Sequence, residues 1–266
     1  MNFVYKYLRH LKYSNIFFFK ALIFLRQSSW GQSFSTGRNG VVLNCGGPRS
    51  GSTLLNLIIK EILLVRLSSE NNYVDTTTDL SKKLSSYNHF NLIKTHRYFF
   101  NIPKLIKKGQ VIAFMTHRDI RDVTVSLKQK GWVQNVKDFV FSKDLKQIAF
   151  SSIAYARVDG MNILSYEQLM DNPAGVISFV SEKLNVQLSE EQVGKIEKNV
   201  SRENVIRKIE TLKMIGGNES SLDVSTGLHI DHIKDGKSGK WKELLTHEEK
   251  DMIAKECSEY LTLFNY

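Results

Sequence analysis

Apolar positions in this chain fall into two textures, short unbroken runs and longer stretches spaced every three or four residues, and the two alternate. The unbroken, β-branched runs predict strands near 41–46, 91–95, 110–116 and 161–165. Helical spacing predicts helices near 52–66, 119–131, 142–157 and 173–184. Strand and helix in alternation imply a three-layer α/β fold, with a central parallel β-sheet flanked by helices. Ser189-Glu-Glu-Gln192 and Thr246-His-Glu-Glu249 read as capping boxes that start two late helices. Residues 218–239, rich in glycine and serine and poor in apolar positions, read as a flexible lid.

The first strand breaks into Cys45-Gly-Gly-Pro-Arg49-Ser50-Gly51-Ser52-Thr53, a glycine loop that opens a helix. Glycines let such a loop turn tightly, and the helix start offers unpaired N–H groups and partial positive charge to an anion. The pattern is that of a phosphate cradle. A nucleoside-triphosphate loop would place lysine directly after the last glycine; here Ser52 follows Gly51, and the basic group is Arg49. A P-loop kinase or ATPase is therefore disfavoured.

The strand at 110–116 runs into His117-Arg118-Asp119-Ile-Arg121-Asp122 and then Ser126. Charged groups at a strand's carboxyl end lie where open α/β sheets bind ligands. With both segments in view, "GGPRSGSTLL" and "THRDIRDVTVSL" resemble the two phosphate sites of the sulfotransferases that use 3′-phosphoadenosine 5′-phosphosulfate (PAPS). Three further segments are similar to that family in the same order: Lys94-Thr-His96 to the "KTH" element of the cytosolic branch, Ser165-Tyr166-Glu167-Gln-Leu to its "YED-L" stretch, and Lys234-Asp-Gly236-Lys-Ser-Gly239-Lys-Trp241-Lys to its "RKG..GDWK" stretch. The likeness spans roughly residues 40 to 262, a single domain of 40–266 behind an extension of 1–39.

What the resemblance implies is a P-loop-type fold, PAPS as sulfuryl donor and in-line transfer to a hydroxyl or amine with no metal required. Arg49, Ser50, Gly51, Ser52, Thr53 and Lys94 would hold the phosphosulfate, with Arg49 and Lys94 also counted as catalytic. His96 would be the general base, and Arg118, Ser126, Lys234 and Gly236 would hold the 3′-phosphate end and close over the cofactor. Two readings of Tyr166 stand, a core tyrosine or an adenine contact. Leu54 occupies the place of a tryptophan that stacks on adenine in cytosolic members.

Other residues have plainer readings. His117 is expected to be structural, Arg121 and Asp122 to pair on a helix surface, and Trp241 to anchor the closing segment by packing. The aromatic clusters at 87–90 and 98–100 either line an apolar acceptor site or belong to the core. His229 and His232 have no further ligands near them in sequence, so no metal is expected. Cys45 and Cys257 suit buried thiols in a reducing compartment, and a cytoplasmic location is expected.

Composition adds a bound. The 266 residues are 42% hydrophobic, enough for a full core, and the net charge is +10. The first sixty residues carry no Asp or Glu, so the excess lies N-terminally. Its basic and apolar positions at 4–25 suit a helix, either on a membrane surface through residues 1–30 or packed on the fold; the apolar run is shorter than the roughly 20 residues a span needs. The basic residues form no recognisable nucleic-acid module. The expected partner is a small-molecule, glycan or lipid acceptor. A non-catalytic, decayed nucleotide binder is the alternative.

Overall fold

The computed structural model describes residues 41–67, 74–77, 90–214, 222–223, 228–229 and 236–266. The N-terminal extension, Lys234, His232 and most of the expected lid lie outside the described residues.

Five parallel strands form the sheet, in the order β2-β3-β1-β4-β5. They are β1 (Val41–Asn44), β2 (Val74–Thr77), β3 (Phe90–Lys94), β4 (Val111–His117) and β5 (Asn162–Ser165). β1 is buried along its whole length, as its near-continuous apolar run demands of a strand covered on both faces. Its side chains alternate between two cores. Val41, Leu43 and Cys45 join Ile93, Ala113, Met115 and Tyr155 on one face, while Val42 joins Leu55, Ile58, Leu92 and Phe114 on the other. The expected α/β architecture with a parallel sheet between helices is the one observed.

Helix α1 (Ser52–Leu67) follows β1 and buries Leu55, Ile58, Ile59 and Ile62 completely. α2 (Ile102–Lys107) precedes β4, and α3 (Ile120–Gln129) follows it. α4 (Val136–Val140) and α5 (Lys143–Ala156) lead to β5. Beyond β5 come α6 (Tyr166–Asp171), α7 (Pro173–Lys183), α8 (Glu190–Val200) and α9 (Arg202–Met214). A two-strand antiparallel pair, β6 (Leu222–Asp223) and β7 (Leu228–His229), precedes α10 (Trp241–Leu244), α11 (His247–Glu256) and α12 (Ser258–Phe264). The caps explain the starts. Ser189 and Thr246 form the capping boxes expected of them, Ser165 forms a third, and Asn172 ends α6 and caps α7 with Pro173 at its first position.

Register decides where chemistry can gather. Asn44 at the end of β1 stands opposite Lys94 on one side and Phe114 on the other, and His117 stands opposite Ser165. The residues after each strand therefore emerge at one edge of the sheet. β1 is also the switch point, with β3 and β2 to one side and β4 and β5 to the other, where the crevice of an open α/β sheet forms. Among the described residues no helix is long and apolar enough to cross a membrane.

Ile58 is fully buried in the core between α1 and the sheet. Ile58→Ala is expected to cost about 2–5 kcal/mol, read by chemical denaturation. A loss under 1 kcal/mol would contradict this packing.

Candidate active site

The loop between β1 and α1 is shaped by contacts to its neighbours. Gly46 lies against β4, and a Cβ there would fall 1.9 Å from Thr116 Oγ1. Ser50 Oγ donates to the Gly47 carbonyl at 2.6 Å and lies 2.7 Å from Thr116 Oγ1, so its hydroxyl holds the loop shape. Arg49 adopts φ 61° and Gly51 φ 88°, conformations that cost a non-glycine residue about 1–3 kcal/mol. That strain at Arg49 is held in place by the bonds on either side. Asn44, wholly buried, donates from Nδ2 to the Ser52 carbonyl at 2.7 Å and thereby ties the start of α1 to β1. The first amides of α1, those of Ser52 and Thr53 among them, have no acceptors within the helix, the arrangement that suits an anion.

Lys94, the last residue of β3, donates from Nζ to Thr53 Oγ1 at 2.7 Å. Burial, and then the Arg49 charge, push its amine down to about 8. Two residues on, His96 Nδ1 lies 2.6 Å from the Gly46 carbonyl. A carbonyl only accepts, so Nδ1 carries the proton and the neutral ring keeps its lone pair on Nε2. Crowding by protein pushes this imidazole down to about 4, with the Lys94 charge adding and the Gly46 bond opposing. The residue still presents an exposed surface. Tyr155 steadies the turn from below: its hydroxyl donates to the Arg97 carbonyl at 2.9 Å and receives the Phe99 amide at 3.3 Å.

A second cationic station lies at the end of β4. Arg118 is buried, with its guanidinium 3.9 Å above the Tyr166 ring. It donates to the carbonyls of Arg49 at 3.4 Å and Lys237 at 2.8 Å, while its buried Nε has no hydrogen-bond partner among the described residues. Arg49 Nε donates to Ser126 Oγ at 2.9 Å, which links the two stations. The Tyr166 hydroxyl donates to the Gly236 carbonyl at 2.8 Å.

Of the residues singled out in the sequence, Arg49, Ser50, Gly51, Ser52, Thr53, Lys94, His96, Arg118, Ser126, Tyr166 and Gly236 converge at this sheet edge. Lys234 lies outside the described residues. Tyr166 lies under Arg118. The expected surface pair of Arg121 and Asp122 is not formed, because the helix turns them apart. Arg121 makes a bidentate bond to Asp119, at 2.8 Å for its shortest contact, and stacks 3.7 Å from the Trp241 ring. Asp122 is buried and accepts the amides of Gly239 and Trp241. Its place four residues after Arg118, across the start of α3, was the available signal. Trp241 packs as expected. Leu54, in α1, packs on the core, and Tyr98 stacks edge-on against Phe100, Phe150 and Tyr155.

His117 is structural, as expected. Its ring stacks on Phe264 at 4.2 Å, and Nδ1 lies 3.0 Å from the Tyr266 hydroxyl, which itself donates to Glu167 Oε2 at 3.0 Å. Tyr260, which carried no sequence signal, donates to the Arg118 carbonyl at 2.8 Å, and Glu167, quoted in its motif without a role, accepts Ser238 Oγ at 3.1 Å.

The sequence matches the sulfotransferase domain family over residues 40–265, and the chain belongs to that family. Its fold is similar to that of retinol dehydratase crystallised with androsterone and inactive cofactor PAP, at TM-score 0.61 and 18% identity, over 90% of this chain and 85% of that one. A retinol and PAP complex of retinol dehydratase gives TM-score 0.60 at 18% identity, over 90% and 85% of the two chains. Mouse sulfotransferase SULT7A1 complexed with PAP gives TM-score 0.63 at 13% identity, over 86% of this chain and 90% of that one. At these identities the likeness is one of fold. Comparison with curated protein sequences gives no match.

Burial holds the His117 imidazole down to about 4, against an ordinary 6.5. The unfolded chain then takes up this proton at higher pH than the folded one. Stability from neutral His117 is present in full above pH 6.5 and is lost as pH falls through about 4. His117→Phe, which keeps the stack on Phe264, is expected to flatten the acid-side fall in melting temperature. An unchanged acid slope would contradict the assignment.

Proposed function

We propose that this chain transfers the sulfuryl group of PAPS to a hydroxyl or amine of a small-molecule, glycan or lipid acceptor, with His96 as the general base. The observation that carries this reading is the pairing of a proton-accepting Nε2 with a cationic phosphate cradle: Nδ1 of His96 is spent on Gly46, a residue of the loop beside Lys94, Arg49 and the α1 amides. The fit to a 3′,5′-bisphosphorylated nucleotide rests on the second station. Arg118 has a buried donor, Nε, left over after its bonds to the protein, and Ser126 lies within reach of Arg49 on the same side.

Bound PAPS would supply a sulfuryl group on a phosphate leaving group, chemistry in which the protein's main tasks are positioning and charge stabilisation. Lys94, Arg49 and the amides of Gly51 to Thr53 would take the 5′ end, and Arg118 and Ser126 the 3′-phosphate. Charge growing on the leaving oxygen is met by Lys94 and Arg49, which are already oriented by Thr53 and Ser126. His96 Nε2 accepts the acceptor's proton as its oxygen or nitrogen bonds to sulfur. An imidazole lowered to about 4 is neutral and ready to accept near neutral pH, and anions bound beside Lys94 raise its basicity. Androsterone and retinol, seen in the retinol dehydratase complexes, support a small-molecule acceptor.

Calorimetric titration with 3′-phosphoadenosine 5′-phosphate (PAP), ADP and ATP tests the site. PAP is expected to bind in preference to both. Arg118→Ala should weaken PAP roughly ten- to a hundred-fold, the scale of charged hydrogen bonds. His96→Ala should keep PAP affinity and lower kcat by about 10²- to 10⁴-fold once an acceptor is found. Preference for ATP, or equal binding by Arg118→Ala, would overturn the proposal.

A further inference from the structure

We infer that Asp122 is a positioning residue for the nucleotide end of the site: its carboxylate caps the 239–241 segment from across the fold and sets that segment against Arg118. The inference rests on the reading of Arg118 as the 3′-phosphate station.

The short helix α10 needs acceptors for its first amides, as any helix does. Its N-cap residue is Lys240, whose side chain carries no oxygen and cannot accept. Asp122 meets the need from 119 residues away. One carboxylate oxygen accepts the Gly239 amide at 2.6 Å, and the other accepts the Trp241 amide at 3.0 Å. The side chain is 1% exposed, so both bonds form out of water, where a carboxylate without partners would be strongly disfavoured.

The same carboxylate stands 3.9 Å from Arg118, which lies just before the N-cap of α3. Arg118 and its neighbours take hold of the rest of the segment. Arg118 donates to the Lys237 carbonyl, Tyr166 to the Gly236 carbonyl, and Arg121 stacks on Trp241. Four backbone groups of residues 236–241 thus end on Arg118, Asp122 and Tyr166. Asp122 supplies two of the four and orients the guanidinium that supplies a third. Without it, the segment loses its cap and Arg118 loses the charge that fixes its rotation.

The test uses the full chain and its Asp122→Ala and Asp122→Asn variants, titrated with PAP and, separately, digested with trypsin while cleavage after Lys237 and Lys240 is followed. In Asp122→Ala that stays folded, PAP affinity is expected to fall about ten-fold or more, and cleavage at these two lysines to accelerate. Asp122→Asn, which keeps one acceptor oxygen, should fall between Ala and wild type in both readouts. A purely structural role would lower the melting temperature without moving the PAP affinity of folded protein. Wild-type affinity and wild-type cleavage in Asp122→Ala would overturn the inference. If Asp122→Ala does not fold, hydrogen exchange on the wild-type chain decides: slow exchange at the Gly239 and Trp241 amides supports the cap, and exchange at the rate of an unstructured peptide overturns it. Failure of wild type to bind PAP would remove the nucleotide reading, while the cleavage and exchange results still decide the cap.

Discussion

Arg49, Lys94 and Arg118 are gathered at one edge of a sheet, and the repulsion among like charges is the constraint around which the site is built. Each cation is held by a partner that leaves some of its charge available. Lys94 gives a hydrogen bond to Thr53, Arg49 one to Ser126, and Arg118 lies between two carbonyls and an aromatic face with the Asp122 carboxylate 3.9 Å away. Neutral acceptors orient a cation without cancelling it. The lowered Lys94 amine records the residual cost, which comes from burial first and from Arg49 second. An anionic ligand would relieve that cost, so the arrangement favours binding of phosphate groups at both stations.

The parallel register makes the gathering possible. β1 and β3 end level, β4 runs three residues further, and each leads into site residues at the same edge of the sheet: the loop of Arg49, the turn of His96, and Arg118. This part of the molecule was legible in the sequence, because unbroken apolar runs and the glycines behind them encode buried parallel strands and a tight turn locally. The caps at Ser189 and Thr246 were legible for the same reason, since a cap is a contact within a few residues. The helix at 202–214 and the strand at 74–77 were not foreseen. The strand segment, Val-Asp-Thr-Thr, has a single aliphatic residue and takes its place by pairing with β3.

What the sequence hid was long-range pairing. Asp122 looked like the partner of its neighbour Arg121, yet adjacent helical residues do not face each other, and both side chains found partners in a segment more than a hundred residues later. Tyr260 and Tyr266 support Arg118 and His117 from the C-terminal stretch, which carries no site motif of its own. Hydrophobic periodicity placed such residues in helices but is silent about which hydroxyl meets which carbonyl. The Arg49–Ser126 bond was equally hidden, since the motifs assigned the two residues to opposite ends of the cofactor.

The most direct test of a two-station nucleotide site is a crystal structure of the chain with PAP bound. The account predicts the 5′-phosphate on the amides of Gly51 to Thr53 beside Lys94, and the 3′-phosphate on Arg118 and Ser126. A nucleotide bound with its 3′-phosphate in solvent, or seated away from the β1 loop, would contradict it.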